Sequence, residues 1–196
     1  LIFISGPSGS GKTTLSNKII KKFKNGFALS TDNYYKTGLI SKILSKLIEG
    51  YFDRIISFNY KLFKKDFDFI YKNGISINNR YYNYEKKTVH NTLNKTNNIS
   101  FLVVEGIFAK QFAKTLNKQN YYFFEIQTKK NDCMKRVVQR DFKERGKDKK
   151  EAENDFLKSW EIYYEKVNPT SFKKNTNKFI IRKKTDIDHI LKKLFN

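Results

Sequence analysis

The clearest chemistry in this chain sits in nine consecutive residues. Gly6-Pro7-Ser8-Gly9-Ser10-Gly11-Lys12-Thr13-Thr14 matches G-x-x-x-x-G-K-[ST]. Glycines at those places let successive backbone N–H groups curl around phosphate oxygens, and a helix starting at the lysine adds its partial positive charge. Lys12 would reach the β- and γ-phosphates, and the Thr13 hydroxyl would hold Mg²⁺. The loop is therefore expected to bind a nucleoside triphosphate through Gly6, Ser8, Gly9, Ser10, Gly11, Lys12, Thr13 and Thr14.

Three further groups could act beside it. Asp32, in Ser30-Thr31-Asp32-Asn33-Tyr34-Tyr35, could take the proton of a substrate hydroxyl attacking the γ-phosphoryl group, or touch Mg²⁺ through water. Its plainer use would be to cap the following helix. Glu105 ends the apolar run Phe101-Leu-Val-Val, where an acid must face water, a metal or a cation to offset its burial. Arg136, Arg140 and Arg145 place half of the chain's six arginines within ten residues. Arg136 and Arg140 lie one helical turn apart, and guanidinium forks suit the spreading charge of a transferring phosphoryl group. The plainer reading is a solvated helix with Asp141 and Glu144 as partners. A guanine-reading Asn-Lys-x-Asp after a later strand is missing, which argues against a GTPase.

These residues need elements to position them. Leu1–Ser5 reads as a buried strand, Gly6 to Gly11 as a loop, and Lys12–Lys24 as a helix with Leu15, Ile19, Ile20 and Phe23 on one face. A second strand follows at Phe27–Ser30. An amphipathic helical stretch runs from Leu39 to Gly74, interrupted around Tyr51–Asn59. Residues 75–99 are Asn- and Tyr-rich without periodicity and predict a short hairpin or flap. Strands are expected at Ser100–Val104, Tyr121–Ile126 and Lys178–Ile181, and helices at Asp132–Gly146, Lys149–Val167 and the C-terminus. The alternation predicts an α/β fold, a parallel sheet covered by helices on both faces. No repeat or linker divides the 196 residues, so one domain over 1–196 is expected.

Composition narrows the class. Apolar types make up 39% and charged types 30%, and no apolar run approaches the roughly 18 residues of a membrane span. No signal peptide is visible, and the lone Cys133 fits a reducing compartment, so a cytoplasmic enzyme without a membrane partner is expected. Forty Lys and Arg against nineteen Asp and Glu give a net charge of +21, which would attract polyanions. The excess is nearly all lysine and is spread along the chain. With abundant Asn, Ile, Phe and Tyr it matches a base-composition bias, so nucleic acid is disfavoured as a partner.

In motif order and spacing the chain resembles the uridine kinase and phosphoribulokinase family of P-loop kinases over almost its whole length. The resemblance rests on the phosphate loop, on Asp32-Asn-Tyr-Tyr35 at the family's Asp-x-Phe-Tyr, and on Glu105-Gly106-Ile107. It continues through Arg140-Asp141, Glu144-Arg145-Gly146, Pro169 and Phe179-Ile-Ile181. It implies a P-loop three-layer sandwich with a five-stranded parallel sheet of order 2-3-1-4-5, a hairpin flap and a lid near 136–150. It further implies ATP and Mg²⁺ as cofactors. Asp32 would be the base, Thr13, Asp32 and Glu105 would surround the metal, and Arg140, Arg145 and Lys147 would form the lid over the phosphates. The acceptor implied is a nucleoside 5′-hydroxyl, most simply uridine or cytidine, with a homo-oligomer left open.

The acceptor side matches less fully. Phe52-Asp53 falls at the family's Phe-Asp-His-Pro, whose acid binds ribose hydroxyls, but Arg54-Ile55 replaces His-Pro. Tyr82-Asn83-Tyr84 stands at Tyr-Asp-Phe, whose tyrosine lies at the nucleobase. The family's base-reading histidine aligns near Lys87, with His90 the only local substitute, and Arg136 or Val137 falls at a substrate-side arginine. With Tyr35, the expected acceptor residues are Asp32, Phe52, Asp53, Tyr82, Lys87 and Arg136. The same parts could instead serve a sugar phosphate, pantothenate or a nicotinamide nucleoside.

Overall fold

Apolar runs bounded by turn residues become the strands of one parallel sheet in the computed structural model, which describes residues 1–84, 86–116, 120–169 and 177–195. In chain order, β1 (Ile2–Ser5) leads through the phosphate loop into α1 (Lys12–Lys22), then β2 (Gly26–Ser30) and a 3-10 turn, Thr31–Tyr34. Next come α2 (Leu39–Leu47), two short 3-10 turns (Tyr51–Asp53 and Ile55–Ser57) and α3 (Tyr60–Asn73). The hairpin of β3 (Ser76–Asn83) and β4 (Thr88–Thr96) precedes β5 (Phe101–Glu105), α4 (Ala109–Thr115) and β6 (Tyr122–Ile126). The chain finishes with α5 (Lys130–Glu144), α6 (Lys149–Ile162), β7 (Asn177–Ile181) and α7 (Lys184–Phe195).

The sheet order is β2-β5-β1-β6-β7, all neighbours parallel; left uncounted, the antiparallel hairpin reduces it to 2-3-1-4-5. Side chains alternate across the sheet. Phe3, Val104 and Phe123 point to the face covered by α3 and α4, while Ile2, Ile4, Val103 and Phe124 meet Leu15 and Ile19 of α1 and Leu191 of α7. The register Ile4↔Glu105 and Ser5↔Glu125 brings the carboxyl ends of β1, β5 and β6 to one edge, where ligands collect in such sheets.

Differences from expectation are local. Helix α1 ends two residues early, at Lys22. The helix expected to reach Val167 gives way after Ile162 to a π-helical turn, Tyr163–Val167. In that turn Tyr163 Oη lies 3.4 Å from Ser5 Oγ. The seven-residue α4 was not legible. Its buried Lys110 donates to the backbone and side-chain oxygens of Asn168, at 2.6 and 2.9 Å, tying the end of the π turn to the sheet's helical layer.

Candidate active site

Backbone geometry explains the glycines that matter most. Gly9 has φ +76°, and a Cβ there would come within 2.6 Å of the Cys133 carbonyl on α5, so only glycine lets loop and helix approach. Gly106, just past β5, has φ +137°, and its Cβ would lie 1.8 Å from Thr31 Oγ1 and 3.1 Å from Asp32 Oδ1. The ends of β2 and β5 therefore sit close enough to share one site.

Lys12 is buried at the start of α1 and donates to the Pro7 carbonyl at 3.0 Å, so its ammonium lies within the loop. Thr128 Oγ1 donates to the Ser10 carbonyl at 3.1 Å and Arg136 Nη1 to the Gly9 carbonyl at 3.1 Å. Arg136, expected on the acceptor side, thus braces the phosphate loop from outside. The Ser10 hydroxyl is buried without a hydrogen bond among the described residues. Thr14 is exposed in the first turn of α1, whose N-cap, Gly11, has no side chain to occupy the leading amides.

Glu105 is 4% exposed, and its Oε1 accepts from Thr13 Oγ1 at 3.4 Å. Its Oε2 has no hydrogen bond among the described residues. Burial first, and the nearby Asp32 charge second, push its carboxyl above the usual range. A buried carboxylate beside a second one, its burial offset only in part by Lys12, Ser30 and Thr13, suits a hard cation. No group of three or more His, Cys, Asp or Glu side chains gathers among the described residues. A metal here would complete its shell from hydroxyl, water and phosphate oxygens, the manner of Mg²⁺.

Asp32 occupies the 3-10 turn after β2. Ser30 Oγ, not Asp32, caps that turn by accepting from the Asp32 amide at 3.4 Å, which leaves the carboxylate free for other partners. Thr31 Oγ1 donates to Asp32 Oδ1 at 3.4 Å, and from the flap side Tyr84 Oη donates to Oδ2 at 3.5 Å. The hairpin is held over the turn by the Tyr82 amide, which donates to Asn33 Oδ1 at 3.1 Å. Behind it the Tyr35 ring meets Phe52, Tyr82 and Tyr84 edge-on, with centroids 5.3, 4.9 and 6.5 Å away. The Tyr82 hydroxyl is buried without a partner among the described residues, and burial pushes its pKa up to about 12. Lys87 Nζ stands 5.7 Å from the centre of the Phe52 ring, at the edge of this aromatic cluster. His90 is exposed on the hairpin and pairs with Thr88.

Asp53 closes the far side. Its Oδ1 accepts from Ser159 Oγ of α6 at 2.7 Å, and burial pushes its carboxyl up to about 6 against that hydrogen bond. The cations at the end of α5 are held nearby. Arg140 and Arg145 share the buried Asp141, at 2.8 and 3.3 Å, and the Arg145 guanidinium lies 3.6 Å from the Tyr84 ring centre. Lys147 pairs with Asp155 on α6. Sequence reasoning missed two contributors, Ser159 and Asn33 as the anchor of the flap. Asp141 was legible as a partner of Arg140 and Arg145, but on a solvated helix face, whereas it is buried.

The site thus has a phosphate-binding half and an aromatic, acid-lined half, with Asp32 where they meet. Residues 1–188 match the family model described as Phosphoribulokinase / Uridine kinase family. A uridine kinase of Borrelia duttonii is 30% identical over 173 residues, 87% of this chain and 81% of that protein. One from Ureaplasma parvum serovar 3 is 33% identical over 154 residues, 75% and 71% of the two chains. Among solved structures, a D-glycerate 3-kinase from Cryptococcus neoformans superposes with a TM-score of 0.66 at 14% identity, over 92% of this chain and 85% of that one. The YGR205w protein superposes with a TM-score of 0.59 at 15% identity, over 85% and 79%. At such identities the superpositions speak for the fold alone.

Proposed function

Because this chain belongs to the phosphoribulokinase/uridine kinase family, and so to the P-loop kinases, we propose that it transfers the γ-phosphoryl group of ATP to a nucleoside 5′-hydroxyl, with uridine or cytidine as acceptor. The observation that carries this reading is the position of Asp32, which shares the edge of Glu105 and the phosphate loop and is reached from the aromatic cluster by Tyr84. A base for an attacking hydroxyl must stand between donor and acceptor in this way.

In this reading the loop amides and Lys12 orient the triphosphate, and Thr13, Asp32 and Glu105 hold the metal side of the site. Mg²⁺ supplies charge neutralisation between the phosphates when bound. Asp32 accepts the acceptor's proton as its oxygen attacks. Arg140 and Arg145 turn from Asp141 toward the transferring group, with Lys147 beside them. Tyr35, Phe52 and Tyr82 pack on the nucleobase, Asp53 accepts from ribose hydroxyls, and Lys87 donates to a pyrimidine carbonyl in place of a histidine. No covalent enzyme intermediate is needed, because positioning and charge stabilisation carry the rate.

The test is ADP release from Mg-ATP with uridine, cytidine, adenosine, pantothenate, ribulose 5-phosphate and a short RNA, the products identified by mass. Turnover with a pyrimidine nucleoside, reduced at least about a thousandfold in Asp32→Asn with folding intact, is the expected result. Turnover confined to another small acceptor would refute the nucleoside, and turnover driven by RNA alone would refute the kinase reading.

A further inference from the structure

Helix α2 is set inside out. Leu39, Ile40 and Leu47 are 74–76% exposed and Ile43 is 48% exposed, while Ser41 is buried and donates to the Lys36 carbonyl at 2.7 Å. At 100° per residue the four apolar side chains fall within one outward arc, and the serines turn toward the protein. Past the edge of that arc, Ile55 and Ile56 continue the apolar surface at 51% and 45% exposure. An ordinary surface helix buries its apolar face, so this one is built to be covered by something else.

The rim of the patch says what covers it. Lys42 and Lys46 flank the arc on one side, both exposed. On the other side Arg54 and Lys166 line the groove that holds Ile55 and Ile56. The acid at the end of the helix, Glu49, is engaged by Lys158 at 2.7 Å. A two-fold pairing of this face with a second copy, parallel or antiparallel, would bring one basic rim against another in chains that each carry +21. An apolar arc between two rows of cations is the pattern of a helix lying in an anionic bilayer surface, its cations at headgroup level.

We propose that the outward face of α2, with Ile55 and Ile56, docks this protein onto anionic lipid membranes as a peripheral contact. The contact is distinct from a membrane span, for which no described helix is long and apolar enough. It is also independent of the kinase chemistry, since none of these side chains belongs to the site described above.

The experiment is co-sedimentation of the whole chain with vesicles of phosphatidylcholine alone or with roughly one-third phosphatidylserine, at physiological and high salt. It compares the wild type with Ile40→Gln/Leu47→Gln and with Lys42→Gln/Lys46→Gln. The proposal expects binding to the anionic vesicles, weakened by high salt. It expects about a tenfold loss in the apolar pair and a several-fold loss in the lysine pair, with unfolding temperatures unchanged. Undiminished binding by Ile40→Gln/Leu47→Gln would mean that net charge alone drives adsorption, and would overturn it. So would absence of wild-type binding, or a solution dimer that the apolar pair dissociates while vesicle binding persists unchanged.

Discussion

Asp53→Asn should make the free protein more stable near neutral pH while impairing its work on the acceptor. Burial lifts the Asp53 carboxyl from 3.8 to about 6. Two pK units correspond to about 3 kcal/mol by which ionisation of this group opposes folding. The residue as a whole is only half-buried, so water recovers part of that cost and a realised gain of about 1–2 kcal/mol is expected. Asparagine keeps an oxygen for the Ser159 hydroxyl, so the 2.7 Å hydrogen bond need not be lost. The sign follows from proton linkage. Between roughly pH 4 and 6 the folded form holds a proton that the unfolded form has released, so wild-type stability falls as pH rises through that window. The advantage of asparagine should be full above about pH 7, worth about 3–6 °C in melting temperature for a chain of this size, and absent near pH 4. Thermal unfolding of both proteins across that range, beside the acceptor KM at pH 7.5, is the assay. A difference that does not vary with pH would refute the account of Asp53 as a carboxylate charged against its surroundings. An unchanged acceptor KM would remove it from the acceptor site.

Three further outcomes follow from the same geometry. Gly106→Ala should cost about 3 kcal/mol or more in urea unfolding, because its Cβ would collide with Thr31 at a φ of +137°; a loss under about 1 kcal/mol would refute the close approach of β2 and β5. Glu105→Gln removes a buried charge that has no donor on one oxygen, so it should leave the ligand-free protein as stable or more so at pH 8. It should also weaken the thermal stabilisation by Mg²⁺ with nucleotide about tenfold in metal concentration, and full retention would place the metal elsewhere. Tyr84→Phe keeps the ring under Arg145 and should change turnover by less than about fivefold, whereas Tyr84→Ala should lower it at least about tenfold; equal effects would assign the role to the hydroxyl on Asp32.

Much of this site was legible because its residues are needed for backbone or charge reasons that show in type and spacing. The loop from Gly6 to Thr14 announces itself because it requires glycines, a lysine and a hydroxyl at fixed offsets, and β1 and α1 follow from apolar periods of two and 3.6. Asp32 and Glu105 could be picked out because acids are unusual at the ends of apolar strands. Their neighbourhood came from the family resemblance alone, since it depends on β2 pairing with β5 across seventy intervening residues, a fact periodicity does not contain. Helix α4 was missed because seven residues without a side-chain cap carry too few turns to show a period. The contact of Arg136 with the Gly9 carbonyl was not legible, as the rotation of α5 against the loop is set by the packing of Cys133 and Val137 on Gly9. Ser159 gave no sign, because a serine on a charged helix reads as solvated until the partner helix or turn is known.

The placement of the hairpin and of α2 and α3 has a bearing on how such a protein can change over time. All of Tyr35, Phe52, Asp53, Tyr82 and Lys87 lie in the single excursion between β2 and β5, two adjacent strands of the sheet. The loop at Gly6–Thr14, the strand-end Glu105 and the cations of α5 lie outside it. On the function proposed above, choice of acceptor and handling of the donor therefore fall in separate stretches of the chain. Such an arrangement lets the first change, by a longer flap or another donor in place of Lys87, without disturbing the second. Asp32, at the entrance of that excursion, is the residue on which the two must continue to agree.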